Sequence, residues 1–276
     1  MVLKYLNPFF LLKKRKSIKT RVKEIPSDIL WNFFHKMISI GYIYNEDYAK
    51  IKKLKNIHKG KKAFLIGNGP SVKAEDLELF KSKDYITFCA NRIHLAYDQF
   101  TFRPDYVVSS DIQMINDFGQ EIVSNNNNVI IVSKTKPDFN GDYTWFRLSK
   151  RRPFKFPKDI SKEVLLSGGT LVTALQIGFH MGITEFYLYG VDHSFNYKSS
   201  NNKKSLGNAT GDNNHFIKNY RSNKPWQAPI YDLVEEGFKK SNDHLKKHKG
   251  KVINCTHGGK LEVLKREDFY NIINER

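Results

Sequence analysis

Phe64-Leu65-Ile66-Gly67-Asn68-Gly69-Pro70-Ser71 is an apolar β-like run that empties into a glycine turn, and Ala74-Glu75-Asp76-Leu77 follows as an acidic helical start. Strand, glycine turn and helix N-terminus, in that order, are how α/β proteins present backbone N–H groups to phosphate. Gly67 and Gly69 would let the main chain approach a ligand with no Cβ in the way. Asn68 tolerates left-handed backbone and brings an amide, Pro70 sets the turn, and Ser71 is a candidate N-cap. The pattern is not G-x-G-x-x-G and lacks the Lys-Ser/Thr of a P-loop, so neither dinucleotide nor Walker-type ATP binding follows. A phosphate-facing loop and a plain tight turn both remain open here.

Outward from this stretch, β-like runs alternate with helical ones: Ala63–Ile66, Tyr85–Cys89, Tyr106–Ser109, Val129–Val132, Glu185–Tyr189 and Lys251–Asn254. Several are too continuously apolar for a one-sided sheet, which argues for a mostly parallel sheet covered by helices on both faces. The expected fold is a Rossmann-like α/β domain over residues 58–276, preceded by a basic helical extension over 1–57. In that extension Ile29, Leu30, Phe33, Phe34 and Met37 fall at helical spacing. Residues 196–224 are polar, rich in Asn, Ser and Lys, and read as a lid.

Composition bounds the partners. A chain of 276 residues with 40% hydrophobic content can bury a large core, and its formal net charge of +18 calls for an acidic partner. Two cysteines, Cys89 and Cys255, form neither a disulfide framework nor a zinc pattern and fit a reducing cytoplasm. No run reaches transmembrane length. Met1–Lys16 sets Leu3, Tyr5, Leu6, Phe9, Phe10, Leu11 and Leu12 before Lys13-Lys14-Arg15-Lys16, the reverse of a signal peptide's charge order. It reads as an amphipathic anchor on an anionic membrane surface, peripheral at the inner face, or as a packed helix. The basic residues are spread along the chain with no RRM, KH or zinc-finger signature, so nucleic acid is not the expected partner.

In open α/β sheets ligands gather beyond the C-terminal strand ends, where small or polar residues recur: Gly67–Ser71, Asn91-Arg92, Ser110-Asp111 and Gly190-Val191-Asp192-His193. Ser167-Gly168-Gly169-Thr170 opens an apolar helix and is either a second phosphate-ready element or an ordinary cap by Ser167 or Thr170. The lid-like segment holds His215, Lys218, Tyr220 and Arg221, a candidate base beside a phenol and two cations. His244 and His248 share a helix face but sit among Lys246, Lys247 and Lys249, as on a solvated basic face. Asp111 and Asp192 could hold Mg²⁺ together if their strands were adjacent; Asp111 could equally cap the next helix.

Ile66–Ser71, Cys89-Ala90-Asn91, Ser167-Gly168 and Phe186–Asp192 together resemble the bacterial sialyltransferases of glycosyltransferase family forty-two. They equally resemble the larger group related to the archaeal 6-hydroxymethylpterin diphosphokinase (MptE-like), which includes flagellin-modifying nonulosonate transferases. The resemblance runs from about Lys61 to Thr256. It implies a CMP-activated acidic sugar as donor, no metal cofactor, and a cell-surface glycan or lipid-linked acceptor. It places nucleotide binding on Asn68, Gly69 and Asn91, with Ser167 and Gly168 near the donor sugar or phosphate; Gly67, Pro70, Ser71, Gly169 and Asp192 join them as nucleotide-binding candidates from their place at the strand and helix ends. His215 becomes the base, with Tyr220 or Arg221 offsetting charge on the departing phosphate. Asn219 stands where the sialyltransferases carry their catalytic histidine, and Ser194 where they carry the first leaving-group tyrosine; Tyr197 and Tyr220 are the candidates left. The alternative implied is a pterin diphosphokinase-like enzyme using ATP and Mg²⁺, with Asp111 and Asp192 as metal ligands.

Overall fold

A computed structural model describes residues 27–150, 153–195, 206–207, 214–222, 224, 226–227 and 229–275. Met1–Lys16, Tyr197 and most of the 196–224 segment lie outside the described residues. The chain falls into two units, residues 1–53 and 54–276.

In the first unit, α1 (Ser27–Ser39) turns Trp31, His35 and Ile38 inward and leaves Ile29 and Phe33 exposed. In α2 (Glu46–Leu54), Glu46 and Asp47 in the first turn and Lys52 and Lys53 in the last complement the helix dipole, and Asn45 Oδ1 accepts from the Tyr48 N–H at 2.8 Å.

The second unit is built on β1 (Lys62–Ile66), β2 (Tyr85–Ala90), β3 (Tyr106–Ser109), β4 (Val129–Ser133), β5 (Tyr143–Ser149), β6 (Val164–Leu165), β7 (Glu185–Tyr189), β10 (Lys251–Asn254) and β11 (Lys265–Arg266). They form one sheet in the order β11-β10-β7-β1-β2-β3-β4-β5-β6, parallel at every pairing. The short β8 (Leu206–Gly207) and β9 (Trp226–Gln227) pair antiparallel apart from it. Helices α3 (Ala74–Leu79), α4 (Ile112–Asn125), α5 (Thr170–His180), α6 (Tyr231–Lys246) and α7 (Phe269–Ile273) complete the unit. The α/β reading holds, and each of the six β-like runs is a strand.

Both faces of the central strands are covered. Phe64, Leu65, Ile66, Phe88, Val107, Val108 and Phe186 are fully buried, which is why these runs are apolar without alternation. Phe64 stacks on Tyr187 at 5.2 Å, and the Gly178 of α5 lies where a Cβ would press into the Phe186 ring. Strand β5 is not among the six runs read from the sequence, and it carries the charged Arg147. That side chain is buried beside the equally buried Glu163, 3.8 Å away. The chain runs outward from β1 to β6, then returns to place β7 on the other side of β1. That reversal puts the switch point of the sheet between β1 and β7.

Candidate functional site

The two loops that meet at the switch point are bonded directly to each other. Gly67 N–H donates to Tyr189 O at 2.7 Å and Gly69 N–H to Gly190 O at 3.0 Å. A Cβ on Gly67 would overlap Gly190 O, and one on Gly69 would overlap the Asp192 carboxylate. The glycines are therefore required by this loop-to-loop approach. Ser71 does not cap a helix: its Oγ donates to Asp192 Oδ2 at 2.7 Å, and α3 begins three residues later with Lys73 at its N-cap and no side-chain cap bond. Pro70 is exposed at the crest of the turn.

Asn68 points into the protein and is only 7% exposed. Its Nδ2 donates to Ala90 O at 2.8 Å and to Tyr220 Oη at 2.9 Å, while its Oδ1 is buried with no partner among the described residues. Asn91 follows β2 in left-handed backbone (φ 55°), and its Oδ1 accepts from Ser109 Oγ at 2.9 Å. Burial pushes the Tyr220 phenol up to about 12, against hydrogen bonds from the Asn91 side chain, the Arg92 backbone and Asn68 that favour the anion. His215 stacks on the Tyr220 ring at 4.0 Å, and Phe216 N–H donates to Asn68 O at 3.0 Å. The described part of the lid-like segment thus lies over the ends of β1 and β2.

Arg221 and Tyr220 are not poised for a departing phosphate in this arrangement. Arg221 is 3% exposed, and its Nη2 pairs with Asp117 Oδ2 of α4 at 3.0 Å. Tyr220 is 2% exposed, and its carbonyl accepts from Arg92 Nη1. Arg92 in turn forks onto both Glu121 oxygens at 2.8 and 3.0 Å and lies 3.8 Å over the Phe118 ring. Burial of a guanidinium demands such partners, so both residues anchor residues 214–222 to α4 and the strand ends.

Ser167-Gly168-Gly169-Thr170 supplies the longer helix start. Gly169 is the N-cap of α5 and no side chain caps it, so neither Ser167 nor Thr170 serves that end. Ser167 is fully buried, with its Oγ unpartnered among the described residues. Gly168 has φ +87°, and a Cβ there would press on Leu233 of α6. Thr170 Oγ1 accepts from Ser110 Oγ at 3.2 Å, which ties the α5 start to the end of β3.

The proposed metal pair is not assembled. Asp111 caps α4, accepting from Gln113 and Met114 N–H at 2.8 and 3.2 Å. Asp192 accepts from Ser71. Strands β1 and β2 lie between those that carry them, a separation of about 14 Å at strand spacing. No group of three His, Cys, Asp or Glu suited to a metal occurs among the described residues. Lys246, Lys247, His248 and Lys249 are exposed, as on a solvated basic face, whereas His244 is half-buried and stacks on Phe156 at 4.1 Å, and both histidine rings lie 5.1 Å from Phe179.

Sequence reasoning passed over a second cluster on the same rim. Asp76 of α3, 1% exposed, accepts from Tyr189 Oη at 2.5 Å, Tyr270 Oη at 2.8 Å and His257 Nε2 at 2.9 Å. Burial alone would raise the Asp76 pKa, but these three donors bring it below the usual carboxylate value. Reading past the last long strand, as past the others, exposes Thr256-His257-Gly258-Gly259 just after β10.

Among solved structures the chain matches the MAf glycosyltransferase from Magnetospirillum magneticum AMB-1 with a TM-score of 0.43 and 14% sequence identity. The match covers 87% of this chain and 41% of that one, so the chain spans about two fifths of that protein's length. No curated protein matches it. No helix among the described residues is long and apolar enough to cross a membrane. Residues 37–198, more than half of the 276, match the model of the 6-hydroxymethylpterin diphosphokinase MptE-like family, and the chain belongs to that family.

Proposed function

We propose that this chain is a glycosyltransferase that takes a CMP-activated acidic sugar as donor and passes it to a cell-surface glycan or lipid-linked acceptor. The observation that carries the reading is a buried polar atom, Asn68 Oδ1, left without a partner among the described residues at the end of β1, beside the switch point where ligands of open α/β sheets bind. An unmet buried polar group costs about 1–3 kcal/mol, a cost that a ligand meeting it would offset.

In this reading Asn68, Asn91 and the start of α5 hold the nucleotide, with the α5 N–H groups turned to phosphate. Gly67, Gly69, Ser71 and Asp192 keep that cradle rigid through their own contacts, and Pro70 fixes the backbone of the turn. His215, stacked on Tyr220, lies over the ends of β1 and β2, on the side where the nucleotide would sit. A diphosphokinase-like reading would call for ATP and Mg²⁺ instead, but Asp111 and Asp192 are separated and already engaged, so they do not fit a shared metal. The net charge of +18 and the amphipathic Met1–Lys16 suit a cytoplasmic enzyme meeting acceptors at an anionic membrane face.

The test is a thermal-shift titration with CMP, CTP, UDP, GDP and ATP, each in Mg²⁺ and in EDTA. Binding to the native state raises the melting temperature by mass action. Stabilisation by CMP or CTP in EDTA is expected. Stabilisation by ATP in Mg²⁺ alone would replace this reading with the diphosphokinase one.

A further inference from the structure

We infer that His257, oriented by Asp76, is the general base that deprotonates the acceptor hydroxyl. The inference deepens the transferase reading and rests on it. It assigns a residue 42 positions beyond His215 and outside the residues matched by the family.

Position comes first. His257 stands on the loop after β10, and that loop is bonded to the switch-point loops. Val191 N–H donates to Thr256 Oγ1 at 3.0 Å, and Lys260 N–H donates to Asp192 O at 2.8 Å. The Asp192 carboxylate accepts in turn from Ser71 Oγ. His257 is thereby held on the same rim as Asn68, across the Gly67–Ser71 loop from the 214–222 segment.

Tautomer comes next. An ionised carboxylate can only accept, so the His257 nitrogen that faces Asp76, Nε2, carries a proton. In the neutral ring the lone pair is then on Nδ1, which has no hydrogen-bond partner among the described residues. The ring packs against Tyr189, Phe269 and Tyr270 at 5.5–5.7 Å, which fixes its plane, and the side chain keeps 25% exposure. A base needs a buried carboxylate behind one nitrogen and access at the other, and this histidine has both. The charged and titratable groups around it are Asp76, Tyr189, Tyr270, Asp192 and Arg266, whose Nη2 donates to the carbonyls on either side, Thr256 O and Gly258 O.

The step balances without a further reactant. Nδ1 takes the hydroxyl proton as the acceptor oxygen bonds to the anomeric carbon. The bond from that carbon to the phosphate oxygen breaks, and its electron pair leaves with CMP. With water as acceptor the same step yields free sugar and CMP.

A purely structural role for His257, as third donor to Asp76, is separated by substitution. His257→Gln keeps an N–H donor for Asp76 but cannot take a proton. The experiment follows CMP release from CMP-N-acetylneuraminate by the full chain and by His257→Gln and His257→Ala, beside the melting-temperature response of each to CMP. Expected are an unchanged CMP response, a loss of release of about 100-fold or more in both variants, and partial recovery of His257→Ala by added imidazole. Where the unsubstituted chain releases too little CMP to compare, protection of His257 from diethyl pyrocarbonate by CMP-N-acetylneuraminate decides. Full activity in His257→Gln, or no protection, overturns the assignment while leaving the transferase reading in place. No response of the unsubstituted chain to CMP overturns both.

Discussion

Asn68 Nδ2 donates to Tyr220 Oη at 2.9 Å, a bond that joins the first strand end to a tyrosine 152 residues later. The amide that the sequence assigns to a ligand is thereby half committed to the protein, and only its oxygen remains for a partner. Tyr220 orients the cradle from inside.

Tyr220→Phe keeps the ring under His215 and removes the phenol oxygen. Leaving the buried Asn68 amide and the half-buried Asn91 amide short of a partner should cost about 1–3 kcal/mol, read as a lower denaturation midpoint at unchanged m-value. A neutral result would mean that the cradle is not organised by this bond.

Ser167→Ala has the opposite signature. Its hydroxyl is buried and unpartnered among the described residues, so removing it should leave the melting temperature unchanged or higher. The same variant should weaken the response to CMP about tenfold. Loss of stability together with an intact CMP response would show that the hydroxyl serves the fold alone.

Gly69→Ala should destabilise by about 1–3 kcal/mol, because its Cβ meets the Asp192 carboxylate. Shortening that partner in the pair Gly69→Ala with Asp192→Ala should recover part of the loss, a coupling that a double-mutant cycle reads directly. Additive effects would mean that the clash is relieved elsewhere.

Asp76 makes stability depend on acid. Its folded pKa lies below the unfolded value of 3.8, so its contribution is complete above that value and disappears as pH falls through the folded one. Melting curves from pH 6 to pH 2 should therefore drop more steeply below about pH 4 in the unsubstituted chain than in Asp76→Asn. Equal slopes would place the acid sensitivity in other carboxylates.

Arg221→Gln tests the anchor of the 214–222 segment. It removes the charge that faces Asp117, so amide exchange from Phe216 to Ser222 should speed up while that of β1 holds. Uniform acceleration would mean that the segment and the sheet open together.

The sequence by itself determined the strands, their burial on both faces and the rim where polar residues collect. Those features follow from local pattern: Val129–Val132 is apolar at every position because both faces of its strand are buried. Tertiary structure alone decided what each rim residue touches. Gly69 reads as room for a ligand until Asp192 is seen beside it, and Arg221 reads as a free cation until Asp117 is. The charge of Arg147 inside β5 is met by Glu163, which comes from another part of the chain. Asp76 and His257 lie 181 residues apart, and neither has a neighbour in sequence that announces the other. Short-range periodicity is written residue by residue, whereas the pairing of buried polar groups is settled when the sheet brings distant loops to one edge.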